Sequence, residues 1–173
     1  LKSRSVKTIQ VVSPSVWGWR ENRIKSIQAY VDLIMCLFKF ECDFYDKKNM
    51  QSFFLGHPFS QLKPKNNDEV IKKHSLDASR DFVSILPGSR ASEISQLMPV
   101  YLDAAKKLLN KNANRFFLIP AANKKLAEMI QSTKGMNAIP HRLSIDSAQD
   151  FLSLSSISIV TSGTASLEAA VLG

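Results

Sequence analysis

From position 82 onward, short apolar runs rich in β-branched residues alternate with helical patterns, and nothing else in the sequence limits the fold so tightly. Strand patterns fall at 82–86, 115–119 and 157–161, with a further short one at 138–142. Helical patterns fall at 93–110, 123–132, 147–154 and 165–172, with Asp146 or Ser147 as the cap of the third. Apolar strands separated by helices predict a Rossmann-type parallel sheet, buried on both faces by its crossovers. Pro99 interrupts the longest helical pattern, so a kink or a late start is expected there. Upstream, strands are predicted at 6–12, 33–37 and 51–55 and helices at 21–29 and 41–48. The polar stretch 63–68 is the best linker, and Asp68 caps a short helix that ends at His74.

Two strand-to-helix turns carry the chemistry. After Ile157-Ser158-Ile159-Val160-Thr161 comes Ser162-Gly163-Thr164, with Ser166 and Glu168 in the helix that follows. Gly163 permits a sharp turn. A helix N-terminus there offers unpaired N–H groups and a positive dipole end, which suit a phosphate. Glu168 lies one helical turn beyond Thr164 on the same face, where a carboxylate can accept from a ribose diol. The second turn, Pro87-Gly88-Ser89-Arg90, follows the strand pattern at 82–86 and precedes Glu93. The forked guanidinium of Arg90 suits two-point contact with a diphosphate, and Ser89 can donate to the same group. In an open parallel sheet both turns lie at the carboxyl ends of the strands, where ligands bind.

Composition narrows the partners. The 173 residues are 45% hydrophobic and 22% charged, as in a folded globular chain, and the formal net charge is +8. That balance favours anionic partners. The lysines are scattered and form no basic, aromatic-interleaved face, so no nucleic acid is expected. Cys36 and Cys42 are six residues apart and read as free thiols in a reducing compartment. His57, His74 and His141 have no ligand spacing, so no metal is predicted. No apolar run approaches the length of a membrane span.

With those residues read, the sequence resembles the lipid-A-disaccharide synthases, two-domain GT-B glycosyltransferases of bacterial lipopolysaccharide synthesis. The resemblance rests on Ser13-Pro14-Ser15-Val16-Trp17-Gly18-Trp19-Arg20, on Phe40-Glu41 with Phe44-Tyr45, and on Phe54-Leu55-Gly56-His57-Pro58. It continues in Leu86-Pro87-Gly88-Ser89-Arg90-Ala91-Ser92-Glu93-Ile94 and in Thr161-Ser162-Gly163-Thr164-Ala165-Ser166-Leu167-Glu168. It implies UDP-2,3-diacylglucosamine as donor, 2,3-diacylglucosamine 1-phosphate as acceptor, a β-1,6 linkage and release of UDP, with no cofactor. It also implies a cytoplasmic enzyme held peripherally on the inner membrane. Residues 1–62 then correspond to the end of the acceptor domain, 63–80 to a linker and connecting helix, and 81–173 to most of the UDP-sugar donor domain. Ser89, Arg90, Ser162, Gly163, Thr164 and Glu168 are the expected substrate-binding residues. The catalytic base is expected outside this chain, which reads as a fragment without synthase activity of its own.

Two other functions compete. One is an enzyme like the UDP-N-acetylglucosamine 2-epimerases, which share the Ser-Gly turn and following Glu but lack the Ser-Pro-x-Val-Trp-x-Trp-Arg stretch. The other is a module that binds UDP or an anionic lipid surface without chemistry. Trp17, Trp19, Phe38, Phe40, Phe44 and Tyr45 read as core residues. The alternatives are that Trp19 and Arg20 line a cleft or meet acyl chains, and that the phenylalanines face a membrane. His57, before a proline at a strand end, reads as a structural turn residue.

Overall fold

The computed structural model describes residues 6–172. They form two compact units, one ending at Ser60 and the other starting at Gln61.

The first unit is a three-stranded parallel sheet of β1 (Ile9–Val11), β2 (Leu33–Cys36) and β3 (Ser52–Phe54), in that order, with α1 (Ile24–Tyr30) and α2 (Lys39–Asp46) as crossovers. Ile34 and Cys36 of β2 are fully buried and meet Val16, Ile24, Tyr45 and Met50. The Tyr45 hydroxyl lies 3.0 Å from Ser13 Oγ, so the one polar atom of that ring is satisfied inside the core.

Several boundaries differ from expectation for local reasons. β1 is shorter than 6–12, because the N–H of Thr8 is diverted to the Asp32 carboxylate at 2.8 Å and Val12 is left-handed at φ 71°. A 3-10 turn, Glu21–Arg23, precedes α1. α2 starts two residues early because Glu41 folds back and accepts the N–H groups of Leu37 and Phe38, both at 3.0 Å. The aromatic segment also differs. Val16 and Tyr45 are in the core, but Trp17, Trp19 and Phe40 are exposed. Trp17 meets Phe40 edge-on at 4.8 Å, and the Arg20 guanidinium covers Trp19 at 4.1 Å. His57 accepts the N–H of Phe59 through Nδ1 at 3.1 Å, between the Phe38 and Phe59 rings, which is a turn residue's role.

The second unit holds β4 (Asp81–Leu86), β5 (Arg115–Ala121), β6 (His141–Ile145) and β7 (Ile157–Val160), all parallel, in the order β6-β5-β4-β7. α3 (Asn67–His74), α4 (Ala91–Lys111), α5 (Lys124–Gln131), α6 (Ala148–Leu154) and α7 (Thr164–Leu172) complete it. Period-2 alternation in β4 divides the core. Val83 and Ile85 face Ile94, Met98 and Leu102 of α4, with Phe117, Ile119 and Ile130. On the other face, Phe82 and Leu118 meet Phe151 of α6, and Leu86 meets Leu152 and Leu172. Helices therefore cover both faces, as the alternation predicts. β7 forms one edge of the sheet among the described residues.

α4 neither starts late nor ends at Pro99. Its buried residues Ile94, Met98, Leu102 and Ala105 form one apolar stripe, while Pro99 sits on the exposed face. β6 lies three residues beyond the expected 138–142, because Met136–Ala138 forms a 3-10 turn first. Asn66, not Asp68, caps α3, its side-chain Oδ1 accepting the N–H groups of Asp68 and Glu69. Ser147 is the N-cap residue of α6, as expected, but its side chain makes no cap bond. Its hydroxyl donates to the Ile145 carbonyl at 2.9 Å and lies 2.8 Å from Ser144 Oγ.

α3 is fastened to α6 by a buried polar cluster. Asp150 Oδ2 lies 2.9 Å from His74 Nε2 and accepts from Lys73 Nζ at 2.6 Å, and the His74 ring tilts against Phe151 at 4.7 Å. Burial pushes the Asp150 carboxyl up, but the bonds and charges of Lys73 and His74 outweigh it and hold it below its ordinary value. A depressed carboxyl stabilises the fold above its unfolded value, and that contribution disappears as pH falls through the folded one. Asp150→Asn should therefore cost about 1–2 kcal/mol near neutral pH and remove part of the acid-side loss of stability. Urea unfolding of both proteins between about pH 3 and pH 7, a window that spans carboxylate titration, checks this. Parallel pH profiles would count against it.

Candidate functional site

The strand order places β4 at a topological switch point. From β4 the chain moves outward through β5 and β6, then returns to β7 on β4's other side. At such a point neighbouring crossovers diverge and leave a crevice beyond the carboxyl ends of the strands. The crevice here is a cleft of about 380 Å³. Its lining includes all six sequence-predicted residues: Ser89 and Arg90 from the turn after β4, Ser162, Gly163 and Thr164 from the turn after β7, and Glu168 from α7. Residues far apart in sequence meet because β4 and β7 pair in register, Leu86 opposite Val160.

The two turns are in different states. In the first, Glu93 bends back from the first turn of α4. Its Oε2 accepts the N–H groups of Ser89 at 3.0 Å and Arg90 at 3.1 Å, and its Oε1 accepts from Arg90 Nη1 at 2.8 Å. Burial pushes the Glu93 carboxyl up, but these N–H groups and the guanidinium hold it below its ordinary value. The arrangement requires glycine at position 88. Gly88 has φ 101°, and a Cβ there would run into the Glu93 side chain.

The second turn is open. Among the described residues, no protein group accepts the N–H of Ser162, Gly163 or Thr164. All three are exposed, and they sit at the positive end of α7. Ser166 closes the turn behind them, its N–H and hydroxyl both donating to the Gly163 carbonyl. Tyr101 of α4 ties the turn to the rest of the site, its hydroxyl 3.0 Å from Thr161 Oγ1. Glu168, half-buried, faces the same cleft.

A third wall was not foreseen in the sequence. Ala121 at the end of β5, Ala122 after it, and Asp146 to Ala148 after β6 also line the cleft. Asp146 is left-handed at φ 52°. The sequence signal was there, since every strand-to-helix turn of a parallel sheet opens at the same edge, but Asp146 and Ser147 read only as cap residues. Among the described residues, no group of three or more His, Cys, Asp or Glu is placed to hold a metal.

This geometry has a counterpart among known proteins. A family model described as lipid-A-disaccharide synthetase matches residues 1–173. The chain belongs to that family. Among its relatives, the lipid-A-disaccharide synthase of Acinetobacter baylyi is 38% identical over 99% of this chain and 46% of its own length. That of Koribacter versatilis is 37% identical over 100% of this chain and 45% of its own, and that of Alcanivorax borkumensis 36% over 99% and 46%. The chain thus spans about half the length of the curated synthases it matches.

In this member of the synthetase family, Gly88→Ala should force either the left-handed backbone or the Glu93 bond to give way. A loss of about 1–3 kcal/mol is expected, with weakened order at the start of α4. Denaturant unfolding and amide exchange at Ser89 and Arg90 check this. Unchanged stability and exchange would show that the turn does not depend on glycine.

Proposed function

We propose that the second unit, residues 81–173 with the connecting segment 63–80, is the donor half of a lipid-A-disaccharide synthase. In this reading, residues 1–62 are the end of its acceptor half. The observation that carries it is the row of three unpaired N–H groups at 162–164, at the switch point of a parallel sheet. Such donors suit the diphosphate of UDP-2,3-diacylglucosamine. Glu168, one turn along α7, is then positioned to accept from the ribose hydroxyls. Ser89 and Arg90 approach the same diphosphate from the opposite wall.

The chemistry is the attack of the 6-hydroxyl of 2,3-diacylglucosamine 1-phosphate on the donor's anomeric carbon. The new β-1,6 bond forms as the bond to UDP breaks, and the electron pair leaves on the diphosphate. Donors fixed at 162–164 and the charge of Arg90 stabilise that departing anion without reorganisation. The hydroxyl proton goes to a base outside this chain. No described helix is long and apolar enough to cross a membrane. Contact with the cytoplasmic face of the inner membrane would use the exposed Trp17, Trp19, Phe40, Phe53 and Phe54 of the first unit together with the net charge of +8.

Isothermal titration with UDP tests the reading. The chain should bind UDP, and Arg90→Ala should weaken binding by about tenfold to a hundredfold, the loss of one charge-assisted contact. Absence of UDP binding, or unchanged affinity in a folded Arg90→Ala protein, would overturn the assignment.

A further inference from the structure

We propose that Glu93 is an intramolecular competitor for the anion that binds this cleft, holding the first turn's anion seat and exchanging with the incoming diphosphate. The inference deepens the reading above, since it concerns how the same site takes and releases its ligand.

The geometry is that of an anion already bound. Two backbone N–H groups at a helix start and one guanidinium converge on a single carboxylate, at 3.0, 3.1 and 2.8 Å. These are the donors that a phosphate oxygen would use in that turn. Gly88, with no side chain, leaves the space that the Glu93 carboxylate fills. Arg90 is therefore not a free cation awaiting ligand.

Charge makes the competition matter. The charged residues lining the cleft are Arg90, Glu93, Asp146 and Glu168, one cation against three carboxylates. Arg90 is the one cation lining the cleft that can offset the diphosphate charge, and Glu93 holds it. The exchange is feasible because the pair faces water, with the Arg90 side chain 78% exposed and that of Glu93 24%. Ion pairs in that setting are weak and readily re-formed. The open donors at 162–164 let a ligand bind first on the second turn, and Arg90 can then turn to it. On departure of the diphosphate, Glu93 recaptures Arg90, which speeds release of a product that carries the same diphosphate.

Glu93→Gln isolates the effect. The amide oxygen still accepts both N–H groups, so α4 keeps its start, but the negative charge and the guanidinium's partner are gone. Calorimetric titration of the full 173-residue chain with inorganic pyrophosphate, and separately with UDP, should show about tenfold tighter binding in Glu93→Gln. Asp146→Asn removes the same charge from the same cleft without touching Arg90, and should give a clearly smaller gain. Equal gains in both variants, equal or weaker binding in Glu93→Gln, or no pyrophosphate binding by either protein would each overturn the proposal. Tighter pyrophosphate binding without any UDP binding would uphold it and remove the uridine reading alone. Carbon-detected NMR of the unaltered chain is the check should the variant unfold. Pyrophosphate should shift the Glu93 side-chain carboxyl together with the Ser89 and Arg90 amides, and a Glu93 carboxyl that stays put would overturn the exchange.

Discussion

The pairing of β4 with β7 is the contact on which the site depends. Its register sets Val83 through Leu86 beside Ile157 through Val160. Inside it, Ser84 and Ser158 share a hydrogen bond of 2.7 Å, with Ser84 fully buried. The buried Ser84 hydroxyl finds this partner in one register only, because a slip by one residue would put the two serines on opposite faces of the sheet. The same register carries the two turns out of the sheet side by side. The Thr161 N–H donates to the Leu86 carbonyl at 3.0 Å, so the last backbone bond of the pair lies at the floor of the cleft.

The two units solve the strand-to-helix joint in the same way. After β2, Glu41 turns back to the N–H groups of Leu37 and Phe38, and after β4, Glu93 does so for Ser89 and Arg90. In both, a carboxylate three residues into the helix satisfies donors that the helix leaves unpaired. Their surroundings separate their roles. Glu41 is buried and, among the described residues, meets no cation, so it is a fastening. Glu93 stands at the rim of an open cleft with a guanidinium on its outer oxygen. The joint after β7 has no such glutamate, and its donors remain open. The two neighbouring turns are thus asymmetric: the backbone donors of one meet a carboxylate, and those of the other meet no described protein group.

The parallel sheet, its helices on both faces and the two turns whose six singled-out residues line one cleft were legible in the sequence. Alternating apolar runs and helical stripes are local patterns, and a turn after a parallel strand must open at the carboxyl edge. What was misread depended on partners distant in the chain. Thr8 leaves its strand for Asp32. Trp17 and Trp19 looked like core residues by type, yet Val16 and Tyr45 fill the space that the small first sheet offers.

By itself, then, the sequence determined the alternation of strand and helix and the side-chain chemistry that each turn carries. Those properties follow from side-chain type and short-range spacing. Only the tertiary structure decided that the turns after β4 and β7 face one cleft, that Asp146 forms a third wall, and that Arg90 is held by Glu93. The strand order and the rotamer of one carboxylate settle these points. Both depend on packing between residues that the chain alone leaves far apart or free to rotate.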